Sequence, residues 1–183
     1  MLPRKEMLFR KEMIKANLEE IYPLNLADEL KEVGERFVYE SGLVQDASSV
    51  KQSLFNERMK KMLLGIGVEF ILRSAYVKQG FVIHEIKMGK KKITKSALRK
   101  MTVTMHTLIE SLQDLFVDIS QSDLERLKDG LNAARILRND CIHYGFEEHT
   151  PGSVEAVLHS LLFLYKKTWP AQVRNGALVF KWS

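Results

Sequence analysis

Arg138, Asn139 and His143 carry the side chains with the clearest chemical potential in this sequence. A guanidinium can stabilise negative charge, and an imidazole can transfer protons near neutral pH. Asn139 and His143 are four positions apart, so a helix places them on neighbouring parts of one face. Arg138 and His143 are five apart, about 140° around a helix, and would line two walls of one cleft or meet across a two-fold interface. This set suits an anionic substrate, with an acid or base beside a charge clamp.

An amphipathic helix over residues 122–145 is predicted to carry these side chains. Ser122 and Glu125 have the spacing of a capping box, and Gly145 supplies a stop. The apolar stripe of this helix consists of Leu124, Leu127, Leu131, Ala134 and Cys141. Arg138 falls in a gap of that stripe, where a charge is costly unless it is paired or meets an anionic ligand.

A purely structural interpretation of the same residues stays open at this point. Arg138 would then form an ion pair at an interface, Asn139 would be solvated, and His143 would cap the helix. The spacing alone does not decide between the two interpretations, because both need the three groups at one helix end.

The segment 138–143, RNDCIH, resembles the signature of the HEPN superfamily. Domains of that superfamily are all-helical and have an Arg, a polar residue directly after it, and a His four to six residues from the Arg. Their motif lies near the end of a late helix, and another helix follows. Here a further helix is predicted over 154–168, after an N-cap at Ser153. The resemblance covers residues 50–169 in architecture and six residues in motif.

This resemblance implies metal-independent RNA cleavage by a homodimer, without a cofactor. It implies that Arg138 stabilises the phosphate charge, that His143 moves the proton of the attacking 2′-hydroxyl or of the leaving group, and that Asn139 orients one of them. Asp140 is a supporting candidate, and Tyr144 is a candidate substrate contact. The family also includes members that only bind nucleotides or assemble with proteins, and a binding module is therefore the alternative.

A role as a toxin or antiphage-defence protein, with an antitoxin partner, is a further expectation from the resemblance. Toxin members that pair with a nucleotidyltransferase antitoxin often carry a modified Tyr two positions after the His. In this chain Tyr144 follows His143 directly, and position 145 is Gly. That mode of regulation is therefore not expected here.

The longest helical candidate covers residues 49–79. Its middle, MLLGIGVEFIL, is apolar on nearly all sides, as in a central helix. Gly65 and Gly67 cost about 1 kcal/mol each relative to Ala, and would permit the close approach of a neighbouring helix. Glu69 is the one charge in the run. It either forms an i,i+4 pair with Arg73 or supports the site by orienting Arg138 or His143 from a facing helix.

A strongly basic segment follows this helix. Between positions 87 and 100 the chain has no acid, and its basic residues are Lys87, Lys90, Lys91, Lys92, Lys95, Arg99 and Lys100. Such a run is either a solvated face or a contact with a phosphate backbone. The second interpretation makes Lys90, Lys91, Lys92 and Lys95 candidate substrate-binding residues. His84, just before the run, is predicted to be a surface residue.

The complete pattern predicts an all-α, up-and-down helical bundle with extra N-terminal helices and a short C-terminal tail. Residues 1–45 are expected to form a helical hairpin, with helices over 4–21 and 25–39, and residues 50–168 the core bundle. Residues 169–183 form the tail, in which Asn175 and Gly176 indicate the turn of a short hairpin. One further core helix is predicted over 96–119 from a heptad-like seam: Met101, Met105, Leu108, Leu112, Leu115 and Ile119.

Composition limits the classes of function. The chain has 183 residues, 45% of them apolar and 28% charged, as expected for one globular domain. Its net charge of +5 permits RNA or a nucleotide as partner. A single cysteine, Cys141, excludes an internal disulfide and a multi-cysteine zinc site, and agrees with a reducing cytoplasm. The charged N-terminus predicts no signal peptide, and the longest apolar run, 62–70, is too short for a membrane span.

Overall fold

The computed structural model describes residues 21–43, 57–86, 95, 98–143 and 151–180, and this part of the chain is mostly helical. In chain order its elements are α1 (Leu26–Ser41), α2 (Glu57–Lys78), β1 (His84–Ile86), β2 (Leu98–Thr102), α3 (Met105–Glu110), α4 (Leu112–Leu115), α5 (Gln121–His143), α6 (Pro151–Thr168), a 3₁₀ turn (Pro170–Gln172), β3 (Val173–Arg174) and β4 (Ala177–Leu178). The predicted helical class is confirmed at this level. No helix in the described ranges combines the length and apolarity needed to cross a bilayer.

Helix α2 forms the centre of the bundle. It packs against α1 on one side and α5 on another, and α6 in turn packs on α5. Six of its hydrophobic side chains are fully buried: Leu64, Val68, Ile71, Leu72, Ala75 and Tyr76. The Tyr76 hydroxyl donates a hydrogen bond to the carbonyl of Leu108 at 2.6 Å, which ties α2 to α3. The apolar middle of the predicted central helix therefore supplies much of the core.

The contact between α1 and α2 depends on two glycines. A Cβ atom added to Gly67 would lie 2.7 Å from the carbonyl oxygen of Gly34, and a Cβ on Gly34 would lie equally close to the carbonyl of Gly67. Farther along, the Ser74 hydroxyl donates to the carbonyl of Ala27 at 2.5 Å, so the two helices run antiparallel. The helix backbones can approach this closely only because neither glycine has a side chain.

The most buried positions of α1 are Gly34, Glu35, Val38 and Ser41. Leu26 and Leu30 are partly buried against the core, and Phe37 stacks on Phe70 with 6.0 Å between ring centroids, whereas Val33 is exposed. Gly34 turns towards α2 because of its close approach to Gly67. Glu35 is 1% exposed and accepts hydrogen bonds from Tyr165 (2.7 Å) and Lys31 (2.8 Å). Glycine packing, one satisfied carboxylate and the partly buried apolar side chains together therefore fix the rotation of α1.

The helix predicted over 96–119 is wrong in its first part, and its second part is divided into α3 and α4 and ends at Leu115. Residues 98–102 form β2, which pairs antiparallel with β1. Met101, the first residue of the predicted seam, is 67% exposed, whereas Met105 and Leu108 are buried. The helix starts only after Thr104, whose hydroxyl accepts the amide of Thr107 at 3.2 Å. β-Branched residues at 102–104 favour extended backbone, and this N-cap then restarts the helix.

Two helices also begin earlier than predicted, by two residues and by three. Helix α5 begins at Gln121, and its cap is Ser120, whose hydroxyl accepts the amide of Asp123 at 3.1 Å. The expected cap was Ser122, which lies inside the first turn. Helix α6 begins at Pro151 rather than after Ser153, as suits a proline in the first turn.

The C-terminal tail contains a short hairpin at the predicted turn. Asn175 and Gly176 have φ of 50° and 77°, the positive values that a two-residue hairpin turn of type I′ requires. Strands of two residues cannot form a stable hairpin alone. Here Leu178 and Phe180 are buried, and the Phe180 ring lies 6.2 Å from that of Tyr165 on α6. The bundle therefore supports the hairpin. The helix predicted over 4–21 lies, apart from its last residue, outside the described residues.

Candidate functional site

Arg138 stands where α5 crosses α2. The crossing is close because α2 has Gly65 at this point. A Cβ atom there would lie 2.5 Å from the carbonyl oxygen of Ala134 and 2.8 Å from the amide nitrogen of Arg138. Both of these are backbone atoms, so a larger residue at position 65 could be accommodated only by moving α5. Gly65 therefore determines how close the backbone at Arg138 lies to α2.

The Glu69 carboxylate joins two arginines from different helices. Its Oε1 accepts hydrogen bonds from Nε and Nη2 of Arg73, at 3.2 and 2.6 Å. Its Oε2 accepts a hydrogen bond from Nη1 of Arg138. The intrahelical pair and the contact with α5 were alternatives in the sequence, and the geometry contains both. The Glu69 side chain is 13% exposed, that of Arg73 is 10% exposed and that of Arg138 is 24% exposed. The ion pairs are therefore largely shielded from water.

Asn139 holds the same guanidinium from the other side. Its Oδ1 accepts from Nε and Nη2 of Arg138 at 3.0 and 2.8 Å. Because the carbonyl end of this amide faces Arg138, its NH₂ group is left as a donor as far as the described residues show. Partial burial lowers the pKa of Arg138, but a guanidinium keeps its charge in proteins. The result is an oriented, partly exposed cation near the end of α5.

The cluster carries an excess of positive charge. Two arginines share one carboxylate, so Glu69, Arg73 and Arg138 together have a net charge of +1. Nη1 of Arg73 is buried and has no hydrogen-bond partner among the residues that the structure describes. A cluster of this kind favours an anionic ligand. Within the same ranges, no three His, Cys, Asp or Glu side chains are placed to hold a metal.

The other predicted site residues differ in how far the structure describes them. His143 is the last residue of α5, and Asp140 lies one turn before it, but both side chains lie outside the described part. Tyr144 and the lysines of the basic segment, Lys90, Lys91 and Lys92, also lie outside it, whereas Lys95 is described and exposed. The structure therefore brings together Glu69, Arg138 and Asn139, and the roles of the other residues stay predictions.

A second polar pair, which sequence reasoning missed, lies on the strand side of Arg73. The Tyr22 hydroxyl accepts the amide of Ile83 at 3.0 Å and lies 2.7 Å from Nδ1 of His84. Burial raises the pKa of Tyr22 to about 12, and burial together with the charge of Arg73 lowers the pKa of His84. His84 was expected at the surface, but it is half-buried. No local pattern could reveal a contact between residues 62 positions apart.

Acidification should weaken the fold through His84. Its pKa in the folded protein lies below the unfolded value of about 6.5, so the unfolded chain binds more protons as the pH falls. The contribution of neutral His84 to the free energy of unfolding is fully present above the unfolded pKa of about 6.5, and it is lost as the pH falls through the lower pKa of the folded protein. We expect wild type to lose more free energy of unfolding between pH 7.5 and 5 than His84→Gln, in urea titrations. Equal losses in the two proteins would contradict this assignment.

The chain matches no protein-family model, no curated protein and no solved structure.

Proposed function

We propose that this protein is a metal-independent endoribonuclease of HEPN type that acts as a homodimer. The observation that carries the proposal is the fixed position of Arg138, which Glu69 and Asn139 hold at the end of the helix that His143 terminates. The HEPN-like motif needs a cation of this kind beside an imidazole. The up-and-down HEPN architecture, with residues 50–168 as its core, belongs to the same proposal.

In the proposed reaction a phosphodiester of RNA lies against Arg138. The 2′-hydroxyl oxygen bonds to phosphorus while the bond to the 5′-oxygen of the next nucleotide breaks. His143 moves the proton of the attacking hydroxyl or of the leaving oxygen, and Arg138 stabilises the charge of the phosphorane. The products are a 2′,3′-cyclic phosphate and a 5′-hydroxyl. Asn139 orients the reacting groups through its NH₂ donors.

The remaining predicted residues would support substrate binding. Lys90, Lys91, Lys92 and Lys95 would contact phosphates of the RNA outside the reacting one, and such contacts would make binding salt-dependent. Tyr144 would contact the substrate beside His143, and Asp140 would support the helix end. A cytoplasmic toxin or antiphage-defence role, with an antitoxin partner, extends the proposal. A neighbouring gene for a small nucleotidyltransferase would favour the toxin pair.

The test is RNA cleavage in EDTA by wild type and His143→Ala. We expect wild type to cut and the variant to lose about a hundredfold or more in rate, because a positioned acid or base contributes at least that factor. The ends should be 2′,3′-cyclic phosphates. His106→Ala is the matched control, since His106 is an exposed histidine on α3. Cleavage by His143→Ala at the wild-type rate, or cleavage that EDTA abolishes, would refute the proposal.

A non-catalytic module that binds a nucleotide or a protein is the second candidate. Nη1 of Arg138 is engaged by Glu69, and Nε and Nη2 are engaged by Asn139, so the guanidinium is already well satisfied without a ligand. A structural role would produce the same arrangement. Saturable thermal stabilisation by a nucleotide, without cleavage of several RNA types by highly purified protein, would favour this candidate over the nuclease.

A further inference from the structure

A groove between α5 and α6 offers a second place for a ligand. Its volume is about 250 Å³. It begins beside Arg126, twelve residues before Arg138 on the same helix, which corresponds to roughly 18 Å along the axis. The groove is therefore separate from the cluster around Glu69. Its apolar floor and its polar rim come from six main side chains: Leu127, Leu162, Phe163, Arg126, His159 and Lys166.

The walls of this groove are held by a close backbone contact. Gly130 of α5 lies against α6, where a Cβ atom would collide with the carbonyl of Ala156 and the hydroxyl of Ser160. That hydroxyl is buried and lies 3.3 Å from the carbonyl oxygen of Leu127, to which it donates. The two helices therefore cannot slide freely past each other, and the groove is a preformed feature of the fold.

The rim of the groove is cationic and unpaired. Arg126, His159 and Lys166 are exposed, and none of them has an ion-pair partner within the described part of the chain. By contrast Lys128, also on α5, points away and pairs with Glu110 at 3.3 Å. Arg126 and Lys166 bring two positive charges to the groove against the single carboxylate of Asp123, and the resulting net charge of +1 attracts an anionic group.

The floor adds an apolar platform and one acceptor. The Phe163 ring meets Phe116 edge-on, at 5.9 Å between centroids and 87° between planes, which fixes its orientation. Leu127 is buried beside it. Asp123 is the carboxylate of the groove, and its Oδ2 accepts from the hydroxyl of Ser120 at 2.8 Å. A planar group on the floor, with an N–H donor towards Asp123, would leave its anionic end at the basic rim.

We propose that this groove binds a nucleoside phosphate, with the base over Leu162 and Phe163 and the phosphate between Arg126 and Lys166. The ligand is either a free mononucleotide or one unit of an RNA strand, since both present the same chemistry. An aromatic or apolar platform with adjacent cations is the usual arrangement for holding an unpaired nucleotide. This inference goes beyond the proposed cleavage and does not require Arg138 to act on RNA.

The test is a titration of the full-length protein with AMP, with UMP and with a ten-nucleotide 2′-O-methyl RNA. The modified RNA has no free 2′-hydroxyl, so it cannot be cleaved through that group. Saturable binding should shift the methyl NMR signals of Leu127 and Leu162. Arg126→Ala and Lys166→Ala should each weaken binding about tenfold, since each removes a hydrogen bond to a charged group. Lys128→Ala is the control for loss of one positive charge on α5.

The two ligand sources give different results. A mononucleotide that binds as tightly as the RNA indicates a free nucleotide as ligand. Tighter binding of the RNA indicates a unit of a strand, and each groove variant should then lower the slope of log K against log salt by about 0.7. AMP and UMP should bind Arg138→Ala like wild type, which separates this inference from the proposed nuclease. No saturable binding, unchanged affinity in both groove variants, or occupation of the groove by an acidic peptide but not by nucleotides would overturn it.

Discussion

Glu69→Met is expected to lower the free energy of unfolding by about 3 kcal/mol. The carboxylate is 13% exposed and pairs with Arg73 and Arg138, which are themselves 10% and 24% exposed. Within the described ranges its removal leaves Arg73 with no acceptor in a largely buried place, whereas Arg138 keeps Asn139 and can reach water. Desolvation of an unpaired charge is the dominant cost, because methionine itself fits the apolar middle of α2. Chemical denaturation at pH 7 measures the change.

The double variant Glu69→Met/Arg73→Met separates this cause from simple loss of packing. It removes the unpaired charge of Arg73 together with the carboxylate of Glu69. Most of the lost stability should therefore return, to within about 1 kcal/mol of wild type. Glu57→Ala is the surface control, because Glu57 and Lys60 form an exposed pair that should be worth about 1 kcal/mol or less. If Glu69→Met loses no more free energy of unfolding than Glu57→Ala, the two arginines do not depend on Glu69 for their stability in the folded protein.

Gly65→Ala is expected to destabilise the protein by about 2 kcal/mol and to displace Arg138. On helix propensity alone the change should stabilise by about 1 kcal/mol. The added Cβ, however, would lie 2.5 Å from the Ala134 carbonyl and 2.8 Å from the Arg138 amide, and these backbone atoms cannot rotate away. The separation of α2 and α5 must therefore increase at the point where Glu69 meets Arg138.

Two measurements together test the Gly65 prediction. Denaturant unfolding gives the loss of stability, and RNA cleavage under conditions where the variant is fully folded gives the effect of moving Arg138. A reduced cleavage rate in the folded variant would tie the helix crossing to the proposed chemistry. A Gly65→Ala protein that is more stable than wild type would mean that propensity outweighs the close approach, and that the crossing is not tight in solution.

The local patterns in the sequence determined much of the secondary structure. The apolar run around Gly65 and Gly67 identified a long helix, which the structure has as α2. Turn residues determined the ends, as at Gly42, which has φ of 65° after α1, and at the Asn175-Gly176 hairpin. These features depend on backbone preferences and side-chain spacing within a few residues, so the sequence is sufficient to predict them.

The prediction was less accurate where the same residues were compatible with two kinds of local structure. The seam that begins at Met101 has helical spacing, but pairing with β1 adds a strand there that only a second segment of chain can stabilise. The early starts of α5 and α6 have the same origin in part. Several nearby residues could cap each helix, and the choice depends on where the preceding segment must turn to reach its neighbours.

Tertiary structure alone decided which distant side chains meet. The sequence showed Glu69 and Arg138 as two candidates separated by 69 positions, and their contact depends on the helix crossing at Gly65. The burial of Glu35 depends on Tyr165, 130 positions away. The groove beside Arg126 exists because α5 and α6 touch at Gly130. Periodicity specifies which face of a helix is apolar, but the rotation and crossing of helices follow from close packing of all their surfaces at once.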